Sequence, residues 1–110
     1  MPEFRTKSSL PFAYKRLLEE MQRLHFGRME KLSIKDGLPI FAPPLRIVRD
    51  VKFDADNSPR PEINLDDFHL KAQTRALFEL IARMRDATIE CIDVRHGLPF
   101  RMTVEEPLAR

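Results

Sequence analysis

Apolar and polar residues follow two periods along this chain, one typical of helices and one typical of strands. Over residues 10–24 the apolar positions recur every three or four residues, which predicts an amphipathic helix ending near His25. A second stripe of the same period predicts a helix that begins at Asn64 or Asp66 and ends near Arg85. Its predicted buried residues are Leu70, Leu77, Leu80, Ile81 and Met84.

Each predicted helix is followed by two strands joined at a tight turn. Apolar and polar residues alternate on both sides of residues 36–37 and again on both sides of residues 96–97. A glycine at the second turn position supplies the positive φ that a two-residue hairpin requires. Residues 45–53 predict a further strand. The side chains expected on one face of that strand are Leu45, Ile47, Val51 and Phe53.

The two helix-hairpin segments align with each other without gaps at an offset of 60 residues. Residues 17–41 match residues 77–101 at 7 of 25 positions, including a shared Gly-Leu-Pro run at both turns. This pattern predicts an internal repeat, although unrelated helix-hairpin units also converge on glycine turns and alternating apolar residues. The predicted parts of a single domain, residues 1–110, are repeat unit one at about 10–42, an extra strand at 45–53, a loop at 54–65 and repeat unit two at about 66–104.

These elements predict an α+β fold of the order α-β-β-β-α-β-β. We expect an antiparallel sheet of four to five strands with two helices packed on one face, and with pseudo-two-fold symmetry between the repeat units. A chain of 110 residues is near the commonest domain length and can form one core without disulfides.

Composition and charge point to an intracellular protein without a strong electrostatic signature. The single cysteine, Cys91, excludes an intramolecular disulfide, and the first residues have no apolar segment typical of a secretory signal. No apolar run approaches the roughly 20 residues needed to cross a bilayer, so we expect a cytoplasmic location and no membrane partner. The net charge is only +2. Residues 1–53 contribute +5 to it and residues 54–110 contribute −3, an asymmetry that favours self-association.

No arrangement of residues predicts catalysis, a cofactor or a metal. Cys91 and His96 would lie on one strand about 16 Å apart, too far for a nucleophile and its base. His25, His69 and His96 have no metal-binding spacing. Glu30 and Glu90 are equivalent in the repeat and are expected on the core side of their strands. There they would either bond a neighbouring arginine or act as an acid–base pair, and the structural role is the stronger expectation.

Two surfaces are candidates for binding. Side chains on the outer face of the extra strand form a candidate protein-interaction surface, with Met29 and Ile89 as further apolar points away from the helices. Its residues are Arg46, Val48, Asp50 and Lys52. The candidate polyanion contacts near the N-terminus are Arg5, Lys7, Lys15 and Arg16. We therefore expect a non-catalytic protein-interaction module, a homodimer that also binds an unidentified protein, with nucleic-acid binding as the alternative.

Overall fold

The computed structural model describes residues 4–54, 58, 61, 65 and 68–105. It confirms an α+β protein with two α-helices and five antiparallel strands in one sheet. The helices are α1 (Phe12–Leu24) and α2 (Ala72–Met84), and a short 3₁₀ helix spans Lys7–Ser9. The strands are β1 (Gly27–Lys35), β2 (Leu38–Ile40), β3 (Arg46–Arg49), β4 (Ala87–Arg95) and β5 (Leu98–Val104).

β1 and β4 pair antiparallel at the centre of the sheet, and β5 pairs with the far side of β4. The other side of β1 is paired with two short strands. β3 lies beside its first residues, with Gly27 opposite Arg49, and β2 lies beside its last, with Lys35 opposite Leu38. β2 and β3 therefore form one edge of the sheet in two pieces, and β5 forms the other edge.

The hydrophobic core lies between the helices and the inward side chains of the sheet. Its largest fully buried side chains include Tyr14, Leu17, Met21, Phe78, Ile81, Leu32 and Ile92. Leu80 was predicted to be buried, and this is wrong, because the structure leaves it on the exposed side of α2. The core positions of α1 are those of the predicted apolar stripe together with Gln22, a polar residue outside that stripe that is also buried.

The simple alternation predicted for the central strands breaks in the middle of each. Lys31 has a positive φ of 61°, and the β4–β5 register shifts between Ile89 and Cys91. Met29 and Ile89 are therefore fully buried in the core, which corrects their prediction as apolar points on the open side.

The same break places the side chains of Glu30 and Glu90 on the open face of the sheet. Glu30 pairs with Arg28 and Arg46, and Glu90 pairs with Lys31. The side chains of these three basic residues are 42 to 72% exposed. The prediction that both carboxylates share the core face with their neighbours is therefore wrong. In the middle of both β1 and β4, two consecutive residues face outward, whereas strict alternation would place only one of them there.

α2 begins later than predicted. Asn64 and Asp66 lie outside the described residues, and the helix starts at Ala72 with Lys71 as its N-cap. The preceding residues run extended beside the N-terminal segment, where Lys7 donates its backbone N–H to Phe68 and Leu70 donates to Arg5. These backbone bonds compete with the helical ones, which explains the shorter helix.

Both hairpin turns have the predicted geometry. Asp36 and Gly37 have φ of 53° and 74°, and His96 and Gly97 have φ of 56° and 73°. Phe100 alternates with Leu98 and Met102 in the sequence, but a second register shift after Asp93 interrupts this alternation and leaves Phe100 59% exposed. No helix in the described part of the chain is long and apolar enough to span a membrane.

Candidate functional site

β3 and the residues that follow it form an exposed edge of the sheet, which we call the β3 edge (residues 45–53). β3 pairs with β1 through Met29–Ile47 and Arg28–Val48, among others. Within the described ranges no strand pairs with its other side. Alternate backbone N–H and C=O groups of β3 therefore face outward, as in any edge strand.

Three apolar side chains stand exposed along the β3 edge. Ile47 is 47% exposed, Val51 is 56% exposed and Phe53 is 99% exposed. The sequence predicted a strand reaching residue 53 with these side chains on one face. Val51 and Phe53 instead lie beyond the strand, whereas Ile47 lies opposite the buried Met29, on the helix side of the sheet at its exposed edge. The strand stops at Arg49, although the backbone N–H of Asp50 still donates to the carbonyl of Phe26 in the register of the β1–β3 pair.

The four residues predicted to form an interaction surface lie along this edge. Arg46 and Val48 are opposite Glu30 and Arg28 of β1, so their side chains share the open face of the sheet. The Arg46 guanidinium is 3.7 Å from the Glu30 carboxylate and its side chain is 72% exposed. The structure thus brings Arg46 and Val48 to the open face, whereas Ile47, opposite Met29, lies on the helix side of the same edge.

Asp50 and Lys52 continue the edge into a polar cleft of about 460 Å³. The Lys52 ammonium lies 4.2 Å from the centre of the Phe26 ring, a cation–π contact. His96 and Arg101 line the opposite part of the cleft. This cleft joins the end of the β3 edge to the second hairpin turn.

Acids and bases on the open face of the sheet neutralise each other. Arg28 bonds Glu30 at 2.9 Å, Arg101 bonds Asp93 at 3.0 Å, and Lys31 bonds Glu90. The hydrogen bond from Lys31 lowers the pKa of Glu90, and the bond to Glu30 raises the pKa of Arg28. Both shifts favour the charged forms, so the face carries fixed ion pairs instead of a field of one sign.

The same geometry disfavours acid–base and thiol chemistry at the centre of the sheet. A catalytic acid needs a raised pKa, whereas Lys31 lowers that of Glu90. Burial, followed by the charge of Asp93, raises the pKa of Cys91, which disfavours the reactive thiolate. Cys91 lies in mid-strand, and the His96 ring packs instead against Phe26 at 4.7 Å.

His25 and His96 meet at one end of the sheet, which their spacing in the sequence does not indicate. Their ring centres are 6.0 Å apart, and both rings contact Phe26. The sequence signal that would have found this pair is the repeat, because each hairpin turn packs against the helix end of the other unit. In the described part of the chain no group of three His, Cys, Asp or Glu side chains is arranged to hold a metal.

The four candidate polyanion contacts do not form one surface. Lys7 is 4% exposed, and its ammonium donates to the carbonyl of Leu65 at 2.7 Å and lies 3.4 Å from Glu19. Arg5 is exposed on the N-terminal segment, and Lys15 is half-buried on α1. Arg16 stacks over the Phe41 ring at 4.5 Å.

No protein-family model matches this sequence, and no curated protein or solved structure is significantly similar to it.

Proposed function

We propose that this protein is a non-catalytic interaction module that forms a homodimer through the β3 edge. The observation that carries the proposal is the row of exposed apolar residues Ile47, Val51 and Phe53 beside a strand with an unpaired side among the described elements. Exposed apolar side chains and unpaired strand groups are both stabilised when another chain covers them. A second strand added at this edge would cover the apolar side chains and pair the outward backbone groups at the same time.

The residues of the β3 edge are complementary to themselves. If two copies pair antiparallel around Val48, Val48 faces its own counterpart and Leu45 faces Val51 of the other copy. In the same register Arg46 faces Asp50 of the other copy, twice by symmetry. Opposite charges at facing positions each contribute roughly 0.2–1 kcal/mol. This register commits the proposal to a second copy of the chain, and an unidentified protein partner would use another part of the sheet.

Element positions in the structure support the proposed internal repeat. α1 and α2 both span 13 residues and start at residues 12 and 72, and β1 and β4 start at residues 27 and 87. Gly37 donates its N–H to Arg85 at 2.8 Å, and Gly97 donates to His25 at 2.9 Å. These reciprocal bonds support an origin by internal duplication, with β3 added to the first unit.

The absence of a catalytic role and the cytoplasmic location are part of the same proposal. The carboxylates of the open face are held by cations, and the thiol of Cys91 has a raised pKa. A single cysteine gives no disulfide to suggest an oxidising compartment.

Charge reversal along the β3 edge tests the proposal. Arg46→Asp places aspartates opposite each other in the paired register, and Asp50→Arg places arginines opposite each other. Each variant is expected to weaken dimerisation at least about tenfold, because two attractive pairs become repulsive. The double variant restores opposite charges and should recover the dimer. Sedimentation equilibrium measures the dissociation constant directly.

Arg101→Asp is the matched control, since it changes an exposed, ion-paired arginine on the opposite edge strand β5. It should leave the dissociation constant of the dimer unchanged. A strictly monomeric wild-type protein of 12.9 kDa at tens of micromolar would refute the proposal. A double variant as weak as either single variant would refute this register.

Nucleic-acid binding is the weaker proposal. It needs a continuous basic surface, whereas Lys7 is buried and the arginines and lysine of the open face are paired with acids. Its signature would be salt-dependent retention on a polyanion column.

A further inference from the structure

A cavity of about 300 Å³ lies between α1 and the start of α2. Its apolar walls include Leu18, Phe68, Leu70 and Leu98. It shares no residue with the β3 edge, so a ligand bound in this cavity would not depend on the proposed dimer. Cavities of this size are at the lower end of those that bind small molecules.

Two polar atoms at this cavity are buried without a partner. Gln22 and Thr74 line it, and each is 1% exposed. The Oε1 atom of Gln22 and the Oγ1 atom of Thr74 have no hydrogen-bond partner within the described residues. Burying an unpaired polar group destabilises the folded protein, so a ligand that bonds these atoms recovers free energy.

The corresponding place in the first unit is filled by a tyrosine. Tyr14 stands 60 residues before Thr74 and at the same position of its helix. Its ring packs 4.9 Å from Phe4 and 5.2 Å from Phe78, and its hydroxyl donates to the carbonyl of Gly37. Thr74 is much smaller, so the ring has no counterpart at this position of the second unit.

The two unpaired atoms set what a ligand must present. The Oε1 atom of Gln22 can only accept a hydrogen bond, so a donor such as a phenolic hydroxyl fits beside it. The Thr74 hydroxyl can donate, so the opposite end of the ring should carry an acceptor.

The mouth of the cavity favours an anionic group at that opposite end. Lys71 lines the cavity one helical turn before Thr74, and it is exposed. A carboxylate there would accept a hydrogen bond from the Thr74 hydroxyl and attract the Lys71 ammonium. We propose that this cavity binds a small para-substituted phenol that carries a carboxylate, with the hydroxyl donating to Gln22 and the carboxylate held by Thr74 and Lys71.

Titration with 4-hydroxyphenylacetate, followed by amide chemical shifts of the full chain, tests the proposal. Saturable shifts are expected at Gln22, Thr74 and Leu98. Phenylacetate, which lacks only the hydroxyl, is expected to bind at least about fivefold more weakly, the loss of one net hydrogen bond. Absence of saturable shifts at these residues, or equal binding of phenylacetate, would overturn the proposal.

Thr74→Tyr provides the matched variant, because it restores the residue of the first unit. It should abolish binding of 4-hydroxyphenylacetate and raise the melting temperature by about 4 °C, since the new ring fills the cavity. If that variant does not fold, Thr74→Val keeps the shape and removes the hydroxyl, and binding should weaken about fivefold. Undiminished binding in whichever of these variants folds would contradict the proposed site.

Discussion

Replacing Gly27 by alanine is expected to destabilise the protein by about 3 kcal/mol and to loosen β3 from β1. Gly27 has a φ of 151°, a conformation that residues with a side chain rarely adopt. A Cβ atom at this position would lie 2.1 Å from the carbonyl oxygen of Val48, far inside van der Waals contact. The backbone of β3 must move to accept it, so the proposed dimer should weaken as well.

Ala87→Gly is the control for this substitution, because Ala87 stands 60 residues later at the start of β4. Among the described strands, none packs on Ala87 in the way β3 packs on Gly27, and the change should cost only about 0.5–1 kcal/mol. Urea unfolding of both variants measures the difference in the free energy of unfolding. A Gly27→Ala protein as stable as the wild type, with an unchanged dimer, would contradict the close packing of β3 on β1.

Replacing Phe78 by alanine is expected to lower the free energy of unfolding by about 4 kcal/mol. Phe78 is fully buried, and its ring lies 5.7 Å from Phe4 and 5.2 Å from Tyr14 in edge-to-face contacts. The three rings join the N-terminal segment to both helices. Loss of the Phe78 ring would leave a cavity where these three parts of the chain meet.

Phe12→Ala removes the same side chain from a position that is 82% exposed at the start of α1. That variant should differ from the wild type by no more than about 0.5 kcal/mol in chemical denaturation. Similar losses in the two variants would show that the three-ring cluster does not anchor the N-terminal segment.

The helices and turns were predictable because local patterns determine them. The apolar stripe of α1 and the glycines at residues 37 and 97 act within a few residues, and the structure has both features as expected. The helices and central strands that start 60 residues apart also have equal lengths, 13 residues for each helix and 9 for each strand.

Tertiary contacts determine the features that the sequence pattern did not predict, namely which side chains of β1 face the core and where β3 ends. The positive φ at Lys31 redirects Met29 to the core and Glu30 to the open face, and no pattern in the residues marks it. β3 ends at Arg49, which leaves Val51 and Phe53 exposed beyond it. Strand pairing joins residues far apart in the chain, where periodicity carries no information.

The interaction surface remains a prediction, although the structure places two of its residues on the expected face. Arg46 and Val48 do share the open face, as the alternation of β3 predicts. The stronger support for the proposed dimer comes from the exposed Ile47, Val51 and Phe53, which the sequence placed on the other face of the strand. The cavity at Gln22 and Thr74 lies between two helices far apart in the chain, so no sequence pattern indicates it.

Disulfide trapping at Val48 tests the proposed pairing of two copies most directly. In the proposed register the two Val48 Cα atoms face each other across an antiparallel pair, about 4.5–5.5 Å apart, within the range of a disulfide. Val48→Cys, with Cys91 replaced by serine, should form a covalent dimer of twice 12.9 kDa on mild oxidation, whereas Thr103→Cys on β5 in the same background should not. A Val48→Cys protein that stays monomeric, or that cross-links no better than Thr103→Cys, would contradict dimerisation through the β3 edge.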